Sequence, residues 1–403
     1  MQQRSGYRLR VGHIAGIAVD LDWSLLIIFT LITVALAVGL FPAWHPEWSA
    51  ATAWLAGLGA ATLFLMSVLA HEFAHALVGR RRGITIRQIT LFVFGGMAHM
   101  DNEPRRWRDE FWMAIAGPLA SLVIGATCLV LAGVLIGPVE FDPEAPEALL
   151  ADLGLVPSVL LWLGQINIIL AIFNMVPGFP LDGGRVLRAL LWGMTGDMRR
   201  ATRWASLGGQ AFAWTLIALG VAMAVGVQVP VFGAGLVGGL WLMFIGWFLN
   251  NAALVSYRQL VTRDALESVP VSRLMCTGLD SVDAALPVER LVSEHLLHRE
   301  QRAYPVVEDG RLAGLVTLRD VRALPAPRWA ETQVGRIMTP VQQLVSVAPD
   351  DDAFEVLALL GERNLNQVPV LDRGRVLGLV RREDIVRWLA LRGGPLDEPK
   401  AER

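Results

Sequence analysis

Ala70-His71-Glu72-Phe73-Ala74-His75-Ala76 closes a run that carries no charged residue from Trp48 onward. Its pattern is H-E-x-x-H. On a helix, His71 and His75 are four residues apart and share one face. Two imidazoles so placed can hold one zinc ion, with Glu72 beside the metal's water as general base. A charged side chain deep in a bilayer costs about 2.5–3.5 kcal/mol on insertion scales, so a membrane helix with Glu72 next to two histidines has a use for them. The alternative is a membrane helix whose polar end matches a loose pattern by chance.

The chain around this motif has membrane composition. Of 403 residues 54% are hydrophobic, and the mean hydropathy is +0.48. The length predicts two or more domains. Charges are sparse before Tyr257 and dense after it, so a membrane part precedes a soluble part. The net charge of −2 gives no sign of a nucleic-acid partner. Cys128 lies in an apolar run and Cys276 in the polar part, so no disulfide framework is read.

Residues 24–41 are uncharged and long enough to span a bilayer. Ala35-Leu36-Ala37 resembles a signal-peptide cleavage site, but the apolar run exceeds an ordinary signal core, so an uncleaved first span is expected. Residues 48–78, 111–139 and 153–181 give three more spans. Residues 204–257 are too long for one helix and break at Gln228-Val229-Pro230 and Gly233, giving a fifth and a sixth. The gaps after spans one, three and five lack Lys and Arg, whereas the other gaps and both termini carry arginines. The positive-inside rule therefore places both termini, and the loops next to the motif, in the cytoplasm. Two β elements are expected at the membrane surface. One is a short strand or hairpin over residues 11–19. The other is a strand over 84–94, ended by Gly95-Gly96.

A catalytic zinc needs three protein ligands and an open position. Candidates for the third are His99, Asp101, Glu103, Glu110 and Asp182. Asp182 is favoured because it follows the fourth span directly, in Asn174-Met175-Val176-Pro177-Gly178-Phe179-Pro180-Leu181-Asp182-Gly183-Gly184. Pro177 and Pro180 break the helix, and the glycines permit a tight turn around the carboxylate.

The part after Tyr257 repeats itself. Pro305 returns as Pro369, Gly314 as Gly378 and Asp320 as Asp384, a constant offset of 64 residues; Met275 returns as Met338 at 63. Each unit reads helix, strand, turn, strand, helix, with the turns at Asp309-Gly310 and Arg373-Gly374. Two such units can bury their open sheets on each other.

The six-span part resembles the site-2 protease family of intramembrane zinc metalloproteases. The resemblance rests on His71–His75, Gly95-Gly96, Ala116-Gly117-Pro118 and the segment from Asn174 to Asp182-Gly183-Gly184, in the family's order. It implies that His71, His75 and Asp182 bind one zinc per chain and that Glu72 is the base. It also implies that Asn174 helps hold the substrate peptide and that the strand at Gly95-Gly96 pairs with it. Many members have asparagine soon after the Gly-Pro of the third span; here Ser121 stands nearby, and no catalytic role is assigned to it.

The repeats resemble a tandem pair of cystathionine-β-synthase (CBS) domains, which commonly bind adenine nucleotides. Gly314-Leu315-Val316-Thr317-Leu318-Arg319-Asp320 matches that signature, with Thr317 for phosphate and Asp320 for ribose hydroxyls. In the second unit Asp384 is kept, but Arg381 stands at the Thr position. A dimerisation module without ligand is the alternative.

The expected fold is therefore a polytopic α-helical membrane protein of six transmembrane helices with a short membrane-associated β element, plus a soluble α/β CBS pair. The expected boundaries are 1–257 for the membrane domain, 258–270 for a linker, 271–326 and 334–392 for the repeats, and 393–403 for a tail. The expected function is cleavage of transmembrane or membrane-proximal segments of membrane proteins, regulated by ATP or AMP. A homodimer through the CBS pair, in the inner (plasma) membrane, is expected. A CBS-gated channel or transporter gives no reason for the histidine pair with Asp182. A catalytically dead scaffold is at odds with the presence of all four catalytic residues.

Overall fold

A computed structural model describes residues 8–93, 95–100, 104–137, 150–230, 233–298, 301–308 and 311–391. Residues 140–149 of the acidic gap, Asp101, Glu103, the Asp309-Gly310 turn and the 393–403 tail lie outside the described residues. The chain divides into two units between Tyr257 and Arg258.

In the first unit, β1 (Arg8–Ile14) and β2 (Ile17–Asp22) precede the helices α1 (Leu25–Trp44) and α2 (Ala50–Arg81). Strands β3 (Ile86–Phe92) and β4 (Gly95–Met100) follow, then α3 (Trp107–Ile136), α4 (Leu155–Asn174), α5 (Asp182–Thr195), α6 (Met198–Ala224) and α7 (Leu236–Leu266). Among the described residues six helices are long and apolar enough to cross a membrane, all but α5 of these seven. Ala53, Ala56, Ala60 and Ala61 of α2 are buried, whereas Leu55, Leu58 and Leu63 are exposed. Small residues inside and large apolar residues outside are what helix packing in lipid selects, because backbones approach closely and the outer face meets acyl chains.

The two expected β elements are parts of one sheet. Its order is β1-β2-β3-β4, with β2 parallel to β3 across the two-helix crossover and the other pairs antiparallel. Across the first pair Arg10 faces Asp20 and bonds it at 3.0 Å. Gly95 and Gly96 differ from their expected place: they open β4, opposite Phe92 and Leu91, rather than end the preceding strand. β4 forms one edge of the sheet.

The expected linker also differs. Helix α7 continues through Leu266, and Leu266, Val269 and Val271 are buried in the core of the second unit with Val356, Leu360, Val368 and Ile385. Apolar side chains at these three positions make the segment part of that core.

The second unit carries the repeats. Strands β5 (Val282–Asp283), β6 (Ala303–Glu308), β7 (Arg311–Thr317) and β8 (Thr339–Pro340) form one sheet in sequence order. β9 (Gln367–Asp372) and β10 (Arg375–Arg381) pair like β6 and β7, followed by helix α10 (Arg382–Leu391) as β7 is followed by α8 (Leu318–Ala323). Helix α9 (Ala353–Glu362) precedes β9. The repeats interlock. Thr339, from the start of the second, pairs with Leu315 of the first, and Cys276, from the start of the first, bridges Leu379 of the second. Gly314 and Gly378 make this possible, since a Cβ would meet the Thr339 carbonyl at one and the Cys276 carbonyl at the other.

Candidate metal centre

Helix α2 is continuous through the H-E-x-x-H, so His71 and His75 project from one face one turn apart and both are buried. Their Nε2 atoms lie 3.2 Å apart. Asp182 is the first residue of α5. The chain leaves α4 at Asn174, turns over Pro177 to Pro180, and is fixed to α6 where the Phe179 amide donates to the Ala205 carbonyl at 3.1 Å. This delivers Asp182 Oδ2 to 3.1 Å from both Nε2 atoms.

The other ring nitrogens are engaged by α3. His75 Nδ1 lies 2.7 Å from the Met113 carbonyl. A carbonyl only accepts, so His75 carries its proton on Nδ1 and turns the Nε2 lone pair inward. His71 Nδ1 lies 2.9 Å from Ser121 Oγ. Gly117 stands between these two contacts on the same face of α3, at i+4 from Met113. A Cβ there would overlap Nε2 of both histidines. Three positions at helical spacing thus seat two imidazoles.

The donor set fits zinc. Two imidazole nitrogens and one carboxylate oxygen converge within 4.8 Å of one another. That is the ligand number and type of a catalytic zinc with one position left open. Acceptor atoms at hydrogen-bonding distance need a positive centre among them.

Glu72 lies beside this cluster and against β4. A Cβ on Gly96 would overlap the Glu72 side chain. The edge strand therefore begins at the expected base. Asn174 is half-buried at the end of α4, where the chain enters the turn to Asp182.

Among the other candidates for a third ligand, Glu110 is elsewhere. It is fully buried and ion-paired with Arg188 of α5, whose Nε donates to Oε1 at 2.7 Å. His99 lies on β4 opposite Gln88. Asp101 and Glu103 are not described. Ser121, to which the sequence assigns no role, is the contact that sequence reading misses. Its one signal is the i+4 spacing from Gly117.

At the expected nucleotide residues, Thr317 caps α8 and its amide and hydroxyl both donate to Asp320 Oδ2, at 2.8 and 2.7 Å. In the second repeat Arg381 takes both oxygens of Asp384, at 2.8 and 2.7 Å.

Comparison with known proteins places this geometry. The model of peptidase family M50 matches residues 59–142 and 135–216, and the CBS domain model matches 271–326 and 334–391. A protein of Mycobacterium tuberculosis, provisionally named zinc metalloprotease Rip3, is 36% identical over 94% of this chain and 92% of its own length. The chain belongs to peptidase family M50. A Synechocystis relative, also provisionally named a zinc metalloprotease, is 32% identical over 94% of this chain and 95% of its own. The site-2 protease of Methanocaldococcus jannaschii is 24% identical over 62% of this chain and 95% of that one, with a TM-score of 0.40. This M50 peptidase is thus a zinc metalloprotease, built as a multi-pass membrane protein with a CBS pair.

Proposed function

We propose that this M50 peptidase cleaves transmembrane or membrane-proximal segments of other membrane proteins, in regulated intramembrane proteolysis, with one zinc held by His71, His75 and Asp182. The observation that carries the reading is the convergence of those three donors beside Glu72 and the edge strand β4. Zinc supplies a Lewis acid that polarises the scissile carbonyl and acidifies water. The chain's own residues do the rest. Ser121 and the Met113 carbonyl aim the imidazoles. Glu72 takes a proton from the attacking water and returns it to the leaving amine.

A helical substrate shields its amides in its own hydrogen bonds. The edge of β4 from Gly95 and Gly96 offers replacement partners, so a substrate that unwinds there keeps its backbone satisfied. Asn174 assists in holding the extended peptide. The substrate strand then runs beside Glu72.

The same proposal places the termini and the CBS pair in the cytoplasm of an inner-membrane protein, from the distribution of arginines. It takes residues 1–257 as the protease domain and the segments 271–326 and 334–392 as the regulatory repeats, dimerising two chains. Thr317 and Asp320 bind an adenine nucleotide, ATP or AMP. At Asp384 binding additionally requires Arg381 to swing away, since that guanidinium occupies both carboxylate oxygens.

Glu72→Gln tests the proteolytic reading. It keeps shape and zinc and removes the base. The full-length variant, expressed in cells, is expected to retain zinc and accumulate uncut membrane proteins that wild type removes. Normal cleavage by the variant, or the same membrane proteome in both strains, overturns it.

A further inference from the structure

Asp182 opens α5, so its place is set by the turn that precedes it. That turn is packed backbone against backbone on two sides. Toward α5, a Cβ on Gly184 would overlap the Gly178 carbonyl carbon and the Phe179 amide nitrogen. Toward α6, a Cβ on Gly208 would stand 2.6 Å from the Pro177 carbonyl oxygen, and one on Gly209 would overlap the Phe179 carbonyl oxygen. Between these contacts the Phe179 amide donates to the Ala205 carbonyl at 3.1 Å. We propose that Gly208 and Gly209 are positioning residues for the metal ligand. They form the seat on α6 that fixes the turn and, with it, the Asp182 carboxylate. The inference rests on the reading of Asp182 as a zinc ligand.

Magnitudes favour a role at the metal. A side chain at a contact can yield by changing rotamer, whereas backbone against backbone passes a displacement on. Carbon atoms in contact stand about 3.5–4.0 Å apart, so a methyl group at Gly208 asks its neighbour to move by about 1 Å. Metal–ligand distances hold to within about 0.2 Å. Helix α6 is backed by α7, where Ser206 Oγ donates to the Ala253 carbonyl at 3.0 Å, and Phe179, Ala205 and Ala253 share one buried cluster. The turn therefore takes the displacement, and Gly184 hands it to α5 at the end that carries Asp182.

Glycines also serve membrane helices as plain packing positions. Gly220 of α6 is one. A Cβ there would stand 2.6 Å from the Gly239 carbonyl oxygen of α7, the same overlap as at Gly208, without touching the turn. It separates damage to helix packing from displacement of the ligand.

The test uses the full-length protein purified in detergent, with zinc exchanged for Co(II), whose ligand-field absorption reports ligand number and geometry. Gly208→Ala and Gly209→Ala are each expected to surrender zinc to a chelator at a concentration lower by about tenfold or more, the loss that follows when the support of a metal ligand is removed. Their Co(II) bands are expected to shift toward those of Asp182→Ala. Gly220→Ala is expected to keep wild-type bands and zinc affinity, whatever it does to the unfolding midpoint. Beyond the Pro177 oxygen, the neighbours of a Cβ at Gly208 begin at 3.7 Å, so Gly208→Ala carries the test where Gly209→Ala does not fold. Wild-type bands and affinity in the folded Gly208 or Gly209 variant, or the same change in Gly220→Ala, overturn the seat. Wild-type bands in Asp182→Ala overturn instead the assignment of Asp182 as a ligand.

Discussion

His71 and His75 owe their setting to three residues of one neighbouring helix, and the contacts at Ser121 and Gly117 can be changed separately by substitution. Ser121→Ala deletes the partner of His71 Nδ1. Loss of such a contact costs about 10–100-fold in metal affinity, so the variant is expected to surrender zinc to a chelator at a correspondingly lower concentration, with the fold intact. Gly117→Ala places a methyl group on both Nε2 atoms and is expected to purify with substoichiometric zinc. Full zinc content in Gly117→Ala would contradict the geometry. At this scale the sequence was informative wherever chemistry sits at fixed local spacing. H-E-x-x-H is read within one helix, and Asp182 is exposed by the prolines and glycines beside it. Ser121 was not legible, because its role comes from the crossing of α2 and α3, which no local pattern encodes. Glu110 shows the converse: an acid on a plausible segment has a partner, Arg188, 78 residues away.

That partner makes Glu110 important one level up. Helix α3 holds the histidines through Met113, Gly117 and Ser121, and α5 carries Asp182. The Glu110–Arg188 ion pair joins these two helices, and the Arg188 guanidinium also lies over the Phe179 ring at 5.2 Å. Removing one partner of a buried pair leaves a charge without its counter-ion and costs about 3–5 kcal/mol. Glu110→Gln is therefore expected to lower the unfolding midpoint sharply and to reduce zinc content with it. Glu110→Met/Arg188→Met removes both charges and is expected to recover much of the stability. A double variant no more stable than the single one would remove the ion pair from this account. Helix α5 itself was hidden in the sequence. Its four arginine and glycine positions at 183–188 read as a polar gap, although its amphipathic face buries Val186, Arg188 and Ala189. The parallel pairing of β2 with β3 was equally illegible, since the register from Ala18 with Gln88 to Leu21 with Leu91 joins segments separated by two membrane helices.

In the whole chain the six spans were countable because each apolar run ends in charges or in Pro and Gly, and the arginines alternate with them. The CBS pair was countable because its offset is constant. Its interlocking was not, because Cys276 and Thr339 each pair with the repeat they do not begin. This exchange ties each repeat to the backbone of the other. The two repeats differ where a nucleotide is expected to bind. Among the described residues Asp320 accepts from Thr317, a neutral neighbour, whereas Asp384 is neutralised by Arg381. Calorimetry on the full-length protein in detergent is therefore expected to give one ATP or AMP site per chain. Asp320→Ala should weaken it by about tenfold or more, as charged hydrogen bonds are lost. Arg381→Thr restores at residue 381 the hydroxyl found at Thr317 and frees the Asp384 carboxylate, so it should add a second binding event. A ligand shifts an equilibrium only by its differential affinity for the two states. Cleavage of a co-reconstituted substrate should accordingly change with nucleotide in wild type and respond less in Asp320→Ala. No heat at millimolar nucleotide in any of the three proteins would leave the CBS pair as a dimerisation module, and the regulation would have to enter elsewhere.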